Sequence, residues 1–348
     1  MEAKFYLNDK EDSELTDKIY QLIENAKSYI KTGNFFFKDT KLEQALIKAS
    51  DRGIAIFVLT NITGSKDRGQ KMLDIKEETD PHMPNLIELY KHGIHVNIIN
   101  ELHAKFIICD GEQGLIMSAN YTSDSLYNNS EAGVDVLGEE LKDLEYIFDV
   151  LYQNKDIKLS EEGHMYRYTK VYRPISPSVF ENIGKNSNLL LTAGSRESNN
   201  NLKECNYQMI YDEIVDTVQT SKEYLIIMSW SYNEIQKLKE LQDEVKKAIK
   251  RGVKIKLIYS SKGPERSVFR TQNQIPLLIG EDLAKTNSFE LRANHAKCII
   301  SESKGIMFTA NIDGKKGLLT GFELGCVLTE DQREKAYNRI NQIIENGK

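Results

Sequence analysis

The chain has no surplus of positive charge: 46 Lys and Arg stand against 52 Asp and Glu, a formal net charge of −6. Nothing global therefore marks a nucleic-acid binder, although a local basic face would suffice for contact with phosphates. Long apolar runs are missing too. YLIIMSW, from Tyr224 to Trp230, is far too short to span a bilayer. The opening MEAKFYLNDKEDSELTDK is charged from the start and holds no apolar core of the kind a signal peptide needs. Four cysteines, Cys109, Cys205, Cys298 and Cys326, form no C-x-x-C pair. Cys109 and Cys298 fall in apolar strands, as small buried thiols do. His82, His92 and His95 have no acidic or cysteine partner at metal-ligand spacing. These absences predict a cytoplasmic protein with reduced thiols, no metal or other cofactor, and no stable membrane association.

What is present is a globular composition, 40% hydrophobic and 28% charged, over 348 residues. That length allows two ordinary domains, and the sequence repeats itself accordingly. In the first half a helical pattern in IYQLIENAKSYI precedes a strand through NFFF. The helix KLEQALIKASDRG and the strand IAIFVLT follow. The second half offers MIYDEIVDTVQTSKEYL, the strand YLIIMSW, the helix LKELQDEVKKAIKRG and the strand VKIKLIYSS. Downstream, EAGVDVL and FELGCVL match, and each leads into a terminal helix. Alternating strands and helices predict an α/β fold of two half-domains, each a mixed, mostly parallel sheet flanked by helices, packed as a pseudo-twofold dimer. The predicted divisions are 1–155 for the first half, 156–205 for a connecting insert and 206–348 for the second half.

The most specific repeat is LHAKFIICDGEQGLIMSAN, answered by NHAKCIISESKGIMFTAN. His103 and Lys105 are two apart, as are His295 and Lys297, so in an extended strand each imidazole shares a face with its ammonium. Ser118 and Thr309 stand two before Asn120 and Asn311, and Glu131 and Glu323 each lie 28 residues after their histidine. Folding about a pseudo-twofold axis would gather all ten around one point. Cations and neutral donors so placed suit a phosphodiester, whose transition state carries extra negative charge on its equatorial oxygens. One neutral imidazole would attack phosphorus, and the other, protonated, would serve the leaving oxygen. A glutamate at the far ring nitrogen would fix each tautomer.

HAKFIICD with MSAN resembles the H-x-K-x4-D…G-S-x-N signature of the phospholipase D superfamily, and HAKCIISE with FTAN resembles its second copy. The resemblance implies two half-domains sharing one site, a covalent phosphohistidine and no metal. It makes His103 the nucleophile and His295 the acid. Lys105, Lys297, Asn120 and Asn311 would hold the phosphate oxygens, Ser118 and Thr309 would assist, and Asp110 and Glu302 would be structural. Met117 and Phe308 replace the signature glycine, Glu302 replaces the second aspartate, and the second hydroxyl arrives one residue early.

The superfamily contains nucleases, lipid hydrolases and phosphatidyl transferases. The loop TNITGSKDRGQKM carries Lys66 and Arg68, and SSKGPERSVFRTQ carries Lys262, Arg266 and Arg270, both after paired strands where ligands commonly bind. The insert interleaves Tyr166, Arg167 and Arg173 with further Tyr and Lys, an arrangement that suits single-strand stacking or simply an alternating strand. A nuclease acting on DNA or RNA is the favoured expectation. A phospholipase or phosphatidyltransferase, and a catalytically silent nucleic-acid-binding or scaffold subunit, are the alternatives. The acidic total charge suggests a helicase or other DNA-processing partner that delivers substrate.

Overall fold

The computed structural model describes residues 3–9, 11–62, 81–162, 165–171, 173–197, 200–263 and 265–346. The first-half strands are β1 (Phe5–Leu7), β2 (Tyr29–Gly33), β3 (Ala55–Thr60), β4 (His95–Ile98), β5 (Phe106–Cys109), β6 (Gln113–Met117) and β7 (Ala132–Val136), extended by β8 (Ile157–Glu162) and β9 (Met165–Lys170). The second half contributes β10 (Leu189–Gly194), β11 (Asn206–Gln208), β12 (Tyr224–Met228), β13 (Tyr232–Asn233), β14 (Lys254–Ser260), β15 (Ser288–Leu291), β16 (Cys298–Ser301), β17 (Gly305–Phe308), β18 (Ile312–Asp313) and β19 (Gly321–Val327).

The first sheet runs β1-β7-β6-β5-β2-β3-β4-β8-β9, and the second runs β11-β10-β19-β17-β16-β12-β14-β15; β13 and β18 pair separately. Seven strands thus recur in the same spatial order. The two large sheets are mixed, but parallel pairing within them is confined to β2-β3-β4 and β12-β14-β15, while β13 and β18 form a separate parallel pair. The expectation of mostly parallel sheets is corrected by the hairpins. At Asp110 and Gly111 φ is 59° and 65°, a tight turn that forces β5 and β6 antiparallel.

Local sequence explains the repeated helices. Asp39 caps the helix Thr40–Asp51 by accepting from Leu42 N at 2.9 Å, and Gly53, at φ 88°, terminates it. Gly252, at φ 86°, ends the matching helix Lys239–Lys250. The preceding arginines do matched work: Arg52 donates to Ile23 O and Glu24 O, and Arg251 to Val218 O and Ser221 O. IYQLIENAKSYI is not helical to its end. The helix stops at Asn25 and β2 begins at Tyr29, so NFFF lies beyond the strand rather than within it.

Three apolar layers hold the molecule. Outer clusters pack the helices Glu14–Asn25 and Thr40–Asp51 on the first sheet, and Met209–Thr220 and Lys239–Lys250 on the second. The middle cluster joins the halves through Phe148 and Leu151 of the helix Gly138–Gln153, and Ile340 and Ile344 of the helix Glu330–Asn346. Each fully buried Leu, Ile or Phe contributes about 2 kcal/mol relative to exposure. The terminal helix packs on β1 of the other half, where Arg339 pairs with Asp9 and Asp12 and Lys335 with Glu14. The segment read as a connecting insert is taken up by both sheets: β8 and β9 extend the first, and β10 holds in the second the place β1 holds in the first. Among the described residues no helix is long and apolar enough to cross a membrane.

Candidate active site

The two motif segments meet across the seam between the halves. His103 N and Ala104 N both donate to Phe322 O at 2.9 Å, while His295 N and Ala296 N donate to Ser130 O at 2.8 and 2.9 Å. Ser130 and Phe322 immediately precede Glu131 and Glu323, so the backbone pairing hands each glutamate to the opposite histidine. His103 Nδ1 lies 2.7 Å from Glu323 Oε1, and His295 Nδ1 lies 2.9 Å from Glu131 Oε2. A carboxylate only accepts, so each Nδ1 carries the proton and Nε2 keeps its lone pair when the ring is neutral. Spacing along the chain could not reveal this exchange, because each glutamate is 28 residues from a histidine it does not touch.

The histidines and lysines stand just ahead of β5 and β16, not inside them as the strand reading supposed. Both lysines are fully buried. Lys105 donates to the His103 carbonyl, and Lys297 donates to the His295 carbonyl at 2.7 Å. Lys297 Nζ also lies 3.2 Å from His295 Nδ1, but that nitrogen's proton is directed to Glu131.

Ser118 and Thr309 do not support phosphate in the way expected of them. Ser118 donates to Glu131, and Thr309 donates to Glu323 at 2.5 Å. Each hydroxyl oxygen accepts a backbone N–H, from Ala132 at 2.9 Å and Leu324 at 3.0 Å. With their protons committed, they position the glutamates and have nothing left to give an anion. The amide oxygens of Asn120 and Asn311 are buried and accept no hydrogen bond among the described residues. Asp110 accepts from the backbone N–H groups of Lys27, Ser28 and Tyr29 at 2.8–2.9 Å, and Glu302 from those of Lys222, Glu223 and Tyr224 at 2.9–3.4 Å. Both anchor the entry to a central strand.

Burial sets the protonation states. It lowers His103 to about 4 against the opposing pull of Glu323, and it lowers His295 as well. Burial and mutual repulsion bring Lys105 to about 7, and burial brings Lys297 to about 8. Burial alone would raise the carboxyls, yet their histidine and lysine neighbours hold Glu131 down at about 2 and Glu323 below its usual range. Each lysine also acts on the histidine of the other half, so the groups share one electrostatic site.

Several groups were not legible as site builders. Phe35 lies edge-on to His103 with ring centroids 5.0 Å apart, and Trp230 lies edge-on to His295 at 6.0 Å. Asn34 fixes the Asn120 loop by donating to Ala119 O at 3.1 Å, and Ser229 Oγ accepts from Ile312 N at 3.2 Å beside Asn311. Their signal was position alone, at the ends of β2 and β12.

Of the expected substrate contacts, Lys66 and Arg68 lie outside the described residues. Lys262 is committed across the seam to Asp124 at 3.2 Å and Asn129 at 3.0 Å. Arg266 and Arg270 are exposed on the helix Glu265–Ile279, which replaces the expected loop. Tyr166 sits in β9, where its ring meets Tyr90 and Lys91. Arg167 is in the same strand opposite Ser160, and Arg173 is exposed beyond it.

Residues 19–151 match the family described as cardiolipin synthase, PLD-like domain. Residues 19–151 therefore form a PLD-like domain. The superfamily fold extends over both halves. Phosphatidylserine synthase from Haemophilus influenzae Rd KW20 matches with TM-score 0.66 and 12% identity, over 98% of this chain and 86% of that one. Polyphosphate kinase from Porphyromonas gingivalis matches with TM-score 0.59 and 13% identity, over 99% of this chain; the chain spans only 46% of that protein. Nuc from Salmonella typhimurium, a phospholipase D family member, matches with TM-score 0.37 and 16% identity, over 49% of this chain and 100% of that one. No curated protein matches the sequence.

Proposed function

We propose that this protein is a metal-independent phosphodiesterase that cleaves nucleic acid through a covalent phosphohistidine. The observation that carries the reading is the crossed His–Glu pairing over two buried lysines. With both lysines charged and both imidazoles neutral, these lysines and glutamates cancel. A phosphodiester adds one negative charge, and one imidazolium restores neutrality, so binding substrate draws a proton onto one histidine. His103, which burial holds down at about 4, remains neutral as the nucleophile.

In the first step the Nε2 lone pair of His103 attacks phosphorus. The bond to the leaving oxygen breaks, and His295 Nε2–H gives that oxygen its proton. In the second step neutral His295 takes a proton from water as the water oxygen attacks phosphorus. The P–N bond breaks and His103 is released, so a diester and water become a monoester and an alcohol. Lys105, Lys297, Asn120 and Asn311 would stabilise the equatorial oxygens.

Nucleic acid is the proposed substrate because the second half presents exposed cations, Arg292 three residues before His295 and Arg266 and Arg270 on the helix after β14. A second reading, transfer of a phosphatidyl group to an alcohol, is favoured by the family description matched over the first half. It differs only in the acceptor of the second step and the substrate bound.

Oligonucleotides labelled at the scissile phosphate, single- and double-stranded DNA and RNA, are incubated in EDTA and quenched in alkaline SDS, where a P–N bond survives. The expected result is cleavage with label retained on the protein, both lost in His103→Ala. Turnover of phospholipid vesicles without nucleic-acid cleavage would establish the second reading, and turnover of neither would refute both.

A further inference from the structure

In the first half β8 runs along β4, whereas among the described residues β15, which holds the place of β4, is an edge strand. Asp156, just ahead of β8, is buried beside the end of β4. Its carboxylate accepts from Asn100 N at 2.9 Å and Asn201 N at 3.2 Å, so protein fills the space beside the end of β4. The corresponding place beside the end of β15 is an open cleft of about 810 Å3, within the roughly 300–1,000 Å3 usual for small-ligand sites.

The cleft opens at the carboxyl ends of β14 and β15, the end at which His295 stands. Its wall includes Ser130, whose carbonyl holds His295 N, and Lys262, whose carbonyl accepts from the indole of Trp230 at 3.3 Å. Arg292, three residues before His295, is exposed on the wall. Leu291 and Ile343 offer an apolar surface, and Glu290 an acceptor. Asp9, also on the wall, is paired with Arg339.

We infer that this cleft is the subsite for the nucleotide on the leaving side of the scissile phosphate. The inference rests on the proposed nuclease chemistry. Attacking and leaving atoms lie in line, so with His103 as nucleophile the departing oxygen faces His295 and its chain enters the adjacent cleft. Arg292 meets the next phosphate, the base lies on Leu291 and Ile343, and Glu290 accepts from an exocyclic amino group. The two strand ends are therefore unequal: Asp156 and β8 fill the space beside β4, and a cleft stands beside β15.

The test compares an oligonucleotide with bis(p-nitrophenyl) phosphate, which has no neighbouring phosphate. Arg292→Glu is expected to lower kcat/KM on the oligonucleotide by about tenfold or more, because a charge-assisted contact is lost. Hydrolysis of the small diester should persist nearly unchanged. Asn128→Trp, at an exposed position on the same wall, should give the same split by filling the space. Equal effects on both substrates, or no effect on the oligonucleotide, would overturn the subsite while leaving the chemistry intact. If the native protein hydrolyses the small diester but no oligonucleotide, the nucleic-acid reading fails and the subsite falls with it.

Discussion

The two half-sites use the same parts in different surroundings. The His103 side chain is 28% exposed and that of His295 is 14% exposed. Phe35 borders the first and the larger Trp230 the second. Lys105 is pressed lower than Lys297, because repulsion by its counterpart ranks among the causes of its shift. A duplicated fold supplies symmetry at no further cost, but a displacement at phosphorus has an attacking side and a leaving side. The differences between the halves are the means by which equivalent residues acquire unequal tasks.

Removing the imidazoles one at a time tests that division most severely. His103→Ala should abolish turnover of both oligonucleotide and bis(p-nitrophenyl) phosphate, a loss of at least about 10⁴-fold. His295→Ala should lose about 10²- to 10⁴-fold on an oligonucleotide, whose leaving alcohol needs a proton. On the small diester it should instead release one burst of nitrophenolate and stall as the phosphorylated protein. Nitrophenolate departs unaided, but the second step lacks its base. Stopped-flow absorbance reads the burst, and a burst in His103→Ala with none in His295→Ala would reverse the assignment.

The crossed glutamates give a smaller and more diagnostic effect. Glu131→Gln and Glu323→Gln should each lower kcat/KM by about 10- to 100-fold, as loss of an orienting partner does elsewhere. Their pH profiles should move differently. Activity needs His103 unprotonated and His295 protonated, so the acid limb follows His103 and the alkaline limb His295, with the lysines adding to the alkaline fall. Each glutamate raises the pKa of its histidine. Glu323→Gln should therefore move the acid limb, near pH 4 for His103, to lower pH. Glu131→Gln should move the alkaline limb to lower pH. Shifts assigned the other way would mean that the pairing runs within each half.

What the sequence disclosed was what repeats. HAK, hydroxyl-x-Asn and the later glutamate were visible because each occurs twice in register, and the superfamily fold follows from that doubling. Partner choice was hidden, since Ser130 and Phe322 set it through carbonyls that every residue possesses. The hydroxyl roles of Ser118 and Thr309 were hidden for a related reason: whether a donor serves ligand or protein depends on burial. The parallel content was overestimated because alternating helices dominated the pattern, although Asp110-Gly111 already signalled a hairpin. Asp156 and β8 were assigned to a connector because they have no counterpart to align with, and that lack of a counterpart leaves a cleft beside β15.

The smallest expected difference concerns the motif acids, Asp110 and Glu302. Each accepts from three successive backbone N–H groups, but the distances are 2.8–2.9 Å around Asp110 and 2.9–3.4 Å around Glu302. Asp110 also occupies the left-handed region, at φ 59°, where asparagine is tolerated almost as well. Asp110→Asn thus removes charge without adding backbone strain. It should destabilise by about 1 kcal/mol, and Glu302→Gln by about half as much, since both carboxylates are partly open to solvent. Both carboxyls titrate below their ordinary range, so their contribution is present above the unfolded pKa and disappears as pH falls through the folded one. Urea denaturation should separate the native protein from Asp110→Asn at pH 7, and the gap should narrow toward pH 3. Activity on the small diester should change little in either variant. A loss comparable with that of Glu323→Gln would instead place the motif acid among the groups that position the histidine.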